Sequence, residues 1–283
     1  MARKKGKKIQ EKKGFFHYAI LLIKTIWFII KIPYYLVLGI YYAARWIMGI
    51  LLWTKEKIRK KRAMAKKGAI KPVYEDFRIV KTIEGDYKKW EENLNNAESK
   101  IGIILGARGS GKTAIGIKFL ENIHAKTNKN CYAIGFHGED FPPWINVVDD
   151  ISQIKNNSIV LIDEGGILFS SRNSMSNANK LLSNLILVAR HKNLSIIFIS
   201  QNSSNLEVNI LRQADFLVLK PSSLLQKEFE RKIIQKLYDE LEDEFKKYEN
   251  EKGIAHIYSN NFKGFVANPL PSFWDTNISK SFK

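Results

Sequence analysis

The chain has 283 residues, enough for one large domain or two small ones, and its 45% apolar content can build a sizeable core. Its formal charge of +18 would by itself point to nucleic acid, but residues 1–71 hold 19 Lys/Arg against only Glu11 and Glu56, whereas residues 72–283 hold 27 Lys/Arg against 26 Asp/Glu. The globular part is therefore near neutral, and its composition argues neither for nor against DNA. The single cysteine, Cys131, excludes an intrachain disulfide and fits a reducing compartment; its apolar setting marks it as a core strand residue.

Residues 1–14 form a basic tail. Residues 15–53 are apolar and aromatic, interrupted by Lys24, Lys31 and Arg45, and eight further Lys/Arg follow in 55–67. The stretch is too long for a cleaved signal peptide, and no small-residue cleavage site follows it. Three arrangements fit: a single span over 32–53, a helical hairpin turning near Lys31–Pro33, or a helix lying in the interface with Lys24, Lys31 and Arg45 as one basic stripe. Basic clusters on both flanks favour the hairpin or interfacial forms, which keep both clusters on the cytoplasmic side against anionic membrane lipids. Residues 54–76 read as a basic linker, helical over 54–71.

Residues 77–283 read as one domain. A strand is expected at 77–83 and a helix at 86–97. Apolar runs at 101–105, 131–136, 159–162, 195–200 and 215–219 read as buried strands, with helical patterns over 112–125 and 178–192. This alternation predicts an α/β fold with a mainly parallel sheet covered by helices on both faces. Leu225, Phe229, Ile233, Leu237, Leu241 and Phe245 recur every four residues and predict one amphipathic helix over 224–248. A closing hairpin is expected from 254–258 and 263–267 across Asn260–Asn261.

Three stretches carry chemistry. Gly106-Ala107-Arg108-Gly109-Ser110-Gly111-Lys112-Thr113 matches the phosphate-binding pattern G-x-x-x-x-G-K-[ST], with an apolar strand before it and a helix after it. The glycines let backbone N–H groups close around phosphate, and the helix start points its positive end at the same anion. Lys112 adds charge at the β- and γ-phosphates, and Thr113 offers a hydroxyl to Mg²⁺. ATP and Mg²⁺ are the expected cofactors. Next, Ser158–Glu164 is an apolar strand ending in two acids: Asp163 suits Mg²⁺, and Glu164 suits activation of the attacking water. Gln201, ending a third apolar run, suits sensing of the γ-phosphate. His124, His137 and His256 lack metal-ligand spacing.

Together these elements resemble the FtsK–HerA group of P-loop motors, which includes viral genome-packaging ATPases and zonular-occludens-toxin-like assembly proteins. The resemblance covers residues 100–222 and rests on Gly-Ala-Arg-Gly-Ser-Gly-Lys-Thr, Leu-Ile-Asp-Glu, Ala-Arg-His-Lys-Asn-Leu-Ser-Ile-Ile-Phe-Ile-Ser-Gln (189–201) and Leu-Arg-Gln-Ala-Asp-Phe-Leu-Val-Leu-Lys (211–220). It implies a homo-oligomer, a hexameric ring that moves DNA, with an arginine reaching into a neighbour's site; Arg172, Arg190 and Arg212 are the candidates, Arg190 first. The membrane segment precedes the ATPase region here, whereas toxin-like proteins often place it after. The expectation is a membrane-attached ATPase motor that translocates, packages or extrudes DNA from the cytoplasmic face. The competing expectation is a nucleotide-gated membrane scaffold with slow turnover. The polar stretch Ser170–Lys180 suits contact with phosphates of a nucleic acid.

Overall fold

A computed structural model describes residues 22, 24–28, 31, 34–55, 70–138, 141–163, 186–275 and 278. The chain forms two compact units, Met1–Ala63 and Met64–Lys283. In the first, helix α1 (Tyr34–Lys55) has 22 residues, and its most apolar 18-residue stretch has a mean hydropathy of 1.6. At 1.5 Å per residue it is about 33 Å long, comparable to a hydrocarbon core of roughly 30 Å. Its apolar side chains, among them Val37, Ile40, Trp46 and Trp53, are exposed. Residues 24–28 and 31 are also helical, and the Lys31 ammonium lies 3.5 Å from the centroid of the Trp27 ring, one turn back. Pro33 and most of the linker lie outside the described residues.

The second unit runs β1 (Arg78–Gly85), α2 (Tyr87–Asn96), β2 (Ile101–Leu105), α3 (Lys112–Thr127), β3 (Asn130–Ile134), β4 (Ile145–Val147), β5 (Ser158–Asp163), α4 (described over 186–192), β6 (Leu194–Ile199), α5 (Val208–Gln213), β7 (Phe216–Leu219), α6 (Leu224–Glu228), α7 (Lys232–Lys247), β8 (Ile254–Ser259) and β9 (Phe262–Ala267). One nine-stranded sheet has the order β1-β9-β8-β7-β2-β6-β5-β3-β4. The six strands from β7 to β4 are parallel; β8, β9 and β1 add an antiparallel edge. The parallel strands are apolar throughout because both faces are covered. Ile104 packs on one side with Ile115, Phe119 and Ile199. Its neighbours Ile103 and Leu105 pack on the other with Phe198, Ile210 and Tyr238.

Close approach explains two glycines. A Cβ on Gly102 would lie 2.1 Å from Cζ of Phe216, whose ring fills that space edge-on against Trp90. A Cβ on Gly116 would come within 2.8 Å of Leu161 and 3.0 Å of Ile199, so α3 rests directly on the sheet.

The structure corrects the sequence reading in three places. The strand expected to reach residue 136 ends at Ile134, because Gly135 turns at φ 90°. The three-residue β4, too short to leave a pattern, was not anticipated. The single helix expected over 224–248 is two helices, broken at Phe229–Arg231. Glu230 is buried and accepts the Ser203 N–H at 2.7 Å, while the Arg231 guanidinium donates to Ser203 O (3.0 Å) and Leu206 O (2.7 Å). These bonds hold Arg231 extended, at φ −61° and ψ 142°. Leu225, Phe229 and Ile233 are consequently exposed, and the buried face of α7 is Ile234, Tyr238 and Leu241.

His256, on β8, is 2% exposed, and neither ring nitrogen has a partner among the described residues. Its ring packs edge-on against Phe265 at 4.8 Å. Burial, with a smaller contribution from Lys263, lowers its pKa from 6.5 to about 4. The imidazole is therefore neutral in the folded chain, while the unfolded chain takes up its proton more readily. The stabilisation is complete above pH 6.5 and is lost as pH falls toward 4. Urea unfolding should show a loss of roughly 2–3 kcal/mol from this group between pH 7 and 4.5, and His256→Phe should flatten that dependence.

Candidate nucleotide site

β2 delivers the chain to Gly106, where φ is 152° and a Cβ would lie 2.5 Å from the Lys220 Cβ. A side chain there has neither the conformation nor the room. Gly109 (φ 79°) and Gly111 (φ 88°) complete the turn. Two bonds pin the loop: Ser110 N–H to Ala107 O at 3.1 Å, and Ala107 N–H to Pro221 O at 3.0 Å, the latter tying it to the end of β7. The Ser110 hydroxyl is buried with no partner among the described residues. Arg108 is exposed at the tip.

Helix α3 starts at Lys112 with Gly111 as its N-cap and no side-chain cap. By contrast, α2 is capped by Asp86, whose carboxylate accepts from Lys88 and Lys89 N–H. The first N–H groups of any helix have no intrahelical partner. In α2 a carboxylate satisfies them; in α3 they face the glycine loop, ready for an anion.

Lys112 is 8% exposed, and its ammonium donates to Gly106 O and Ala107 O, both at 2.8 Å. Burial lowers its pKa to about 8, opposed by the charge of Asp163. Asp163 ends β5 and is 6% exposed. It is in register with Ile199 of β6, which is in turn in register with Ile104 of β2. The carboxylate thus stands two strands over from the β2–α3 turn, with β6 between them, at the same level of the sheet. Ser200 N–H donates to Ile104 O at 3.0 Å, and Gln201 follows, exposed, with its carbonyl accepting from the Gln226 amide. The loop 106–113, Asp163 and Gln201 therefore share the C-terminal edge of the parallel strands, where ligands bind in open α/β sheets.

Other candidates are placed differently. Glu164, Arg172 and the 170–180 stretch lie outside the described residues. Arg190 is exposed on α4, four positions ahead of β6, and Arg212 is exposed on α5, ahead of β7. Both belong to the N-terminal edge of those strands, opposite the glycine loop. A six-residue strand spans roughly 20 Å, so neither joins the site of its own chain.

One residue at the site left no sequence signal. Lys220, just past β7, is 1% exposed. Its backbone N–H donates to Leu105 O at 2.8 Å, and its ammonium lies under the glycine loop. Farther along α3, Lys118 and Glu121 form a fully buried ion pair at 2.9 Å. Glu121 also accepts Val73 N–H (3.2 Å) and Ser272 N–H (3.1 Å), and Asn122 exchanges bonds with the Glu75 backbone at 3.1 and 2.8 Å. The helix that opens at the loop thus also fastens segments 73–75 and 272.

Among the described residues no three His, Cys, Asp or Glu gather as a metal cage. Thr113 and Asp163 supply a hydroxyl and a carboxylate, hard oxygen donors of the kind that hold Mg²⁺ alongside phosphate oxygens and water. The site can receive a polyphosphate on backbone N–H groups and meet its charge with Lys112.

No protein-family model and no curated protein matches the chain. It is similar to solved structures of the genome-packaging NTPase B204 from Sulfolobus turreted icosahedral virus 2 in complex with AMP (18% identity, TM-score 0.43, covering 61% of this chain and 98% of that one). It is also similar to the DNA-packaging ATPase B204 from Sulfolobus turreted icosahedral virus (16%, TM-score 0.43, 62% and 99%). A third is EssC, ATPases 2 and 3, from Geobacillus thermodenitrificans (12%, TM-score 0.37, 64% and 42%). Viral genome-packaging ATPases are among the group that the sequence motifs resemble.

Proposed function

We propose that this chain is a membrane-attached ATPase that works as an oligomeric motor on DNA. The observation that carries the nucleotide reading is the convergence of an uncapped helix start, a buried lysine and a strand-end carboxylate on one glycine-built loop. Backbone N–H groups of Gly109 and 111–113 hold the β- and γ-phosphates, and the Lys112 ammonium leaves the Gly106 and Ala107 carbonyls to meet them. Thr113 and Asp163 hold Mg²⁺, which when bound neutralises charge on the phosphates. Glu164 takes the proton of the attacking water, and Gln201 orients to the γ-phosphate.

The membrane part of the reading rests on the length and apolarity of α1 and on the basic stretches on either side of it. Those stretches favour a cytoplasmic ATPase unit, with its basic flanks against anionic lipid. The oligomer reading rests on the sequence resemblance and on the position of Arg190 and Arg212, which reach a glycine loop only if a second copy supplies it; a hexamer is the expected assembly.

Lys112→Ala should weaken ATP binding about hundredfold, since it removes a charge-assisted contact to phosphate of about 3 kcal/mol. Glu164→Gln should bind ATP normally in equilibrium dialysis yet lose about 10²- to 10⁴-fold in turnover. Double-stranded DNA should raise the ATPase rate severalfold at low salt, with stimulation declining as salt rises. A rate indifferent to DNA across the salt series would replace the motor by the nucleotide-gated scaffold.

A further inference from the structure

Among the described residues, two lysines have essentially no exposure, Lys118 and Lys220, and they are treated differently. The Lys118 ammonium has the Glu121 carboxylate at 2.9 Å. The Lys220 ammonium donates to Gly253 O (2.8 Å), Ile254 O (3.0 Å) and Asn268 Oδ1 (2.7 Å), all neutral acceptors. No carboxylate pairs with it among the described residues. A buried ammonium satisfied in hydrogen bonds but not in charge is costly to keep protonated.

Its position suggests where the missing negative charge comes from. The Lys220 Cβ is the atom that forbids a side chain at Gly106, and its Nζ lies 3.9 Å from where a Cβ of Gly111 would stand. The amine is thus set directly behind the loop whose front face receives phosphate. The following carbonyl, Pro221 O, accepts Ala107 N–H, so the same two residues brace the loop.

We propose that Lys220 is a second cation of the nucleotide site, placed behind the glycine loop, whose counter-charge is the polyphosphate bound in front of it. This rests on the nucleotide-binding reading above. Lys220 does not touch the reacting atoms; it positions the loop and supplies charge through it.

Burial lowers the Lys220 pKa to about 7. The other titratable groups on the surrounding elements are Lys112 of the loop, Tyr238 of α7, which donates to Lys220 O at 3.2 Å, and His256 of β8. Of the acids on α7 and ahead of β8, Glu242 is engaged by Lys227 and Lys246, and Glu251 by Arg78. Burial weights the unliganded amine toward its neutral form near pH 7.5, although only the charged form can donate to all three acceptors at once. A polyphosphate favours its charged form and draws in a proton, so this contribution to affinity is full below pH 7 and fades as pH rises past the raised pKa of the bound state.

The experiment is calorimetric titration of the purified full chain in detergent with Mg²⁺-ATPγS at pH 7.5, in two buffers of different ionisation heat. The wild type should take up about 0.5–1 proton per nucleotide, of which Lys112, with its pKa near 8, accounts for roughly 0.2. Lys220→Met should bind roughly tenfold or more weakly, take up about 0.2 proton, and melt without nucleotide no earlier than the wild type. Lys220→Arg, charged at every pH, should recover affinity without the proton uptake. Wild-type uptake no greater than the Lys112 share would overturn the proposal without any variant. So would a Lys220→Met chain that binds as the wild type does, or one that binds weakly with undiminished uptake, the sign of a brace alone. If the wild type binds Mg²⁺-ATPγS and Lys112→Ala does not, such results remove only the role of Lys220; if the wild type fails to bind it, the ATPase reading falls first.

Discussion

The active edge of this molecule depends on one steric constraint: the backbone at Gly106 passes so close to Lys220 that no side chain fits between them. That contact forces the chain out of β2 into a tight, positive-φ turn and brings it back as α3 with its first N–H groups facing inward. The remaining arrangement keeps those N–H groups free for an anion. α3 carries no capping carboxylate of its own, whereas α2 is closed off by Asp86. The sheet supports the turn on both sides, through β6 by Ser200 N–H and through β7 by Lys220 N–H and Pro221 O. The loop therefore cannot shift without disturbing two neighbouring strands.

Sequence patterns revealed this edge because its constraints are local. A glycine needed for a turn, an apolar strand before it and a helix after it all fall within thirteen consecutive residues. The same holds for β5 ending at Asp163 and β6 ending ahead of Gln201. What the pattern missed is nonlocal. The break between α6 and α7 comes from Glu230 and Arg231 binding a 3₁₀ turn about 27 positions earlier. Four-residue spacing alone extends the helix through it and assigns Phe229 and Ile233 to the wrong face. Lys220 was hidden for the same reason, because it gains importance only when β8 and Asn268 fold over it. Arg190 shows the converse: its proximity in sequence to β6 says nothing about which end of the strand it occupies, and topology places it on the edge away from the loop.

The outward run of α3 ties the glycine loop to other segments of the globular unit. Lys118, Glu121 and Asn122 are buried polar residues one turn apart, on a helix whose other buried positions are mostly apolar. A buried ion pair is a weak source of stability, and apolar residues of similar volume often serve as well or better. Its effect here is better understood as positional. Glu121 accepts from Lys118, from Val73 and from both donors of Ser272; Lys118 reaches Val73 O at 3.2 Å and Glu75 at 3.7 Å. Apolar packing would hold these segments at some register, but only directional bonds hold them at one.

The consequence follows from connectivity. Among the described residues, 73–75 are the earliest in the chain to hydrogen-bond to α3. A displacement of α3 would carry 73–75 with it through Lys118, Glu121 and Asn122, because separating a buried ion pair and its satisfied bonds leaves uncompensated buried charge. That segment therefore moves with the helix. An apolar contact at the same place would let the two slide; the buried polar pair fixes 73–75 to the helix that opens at the glycine loop.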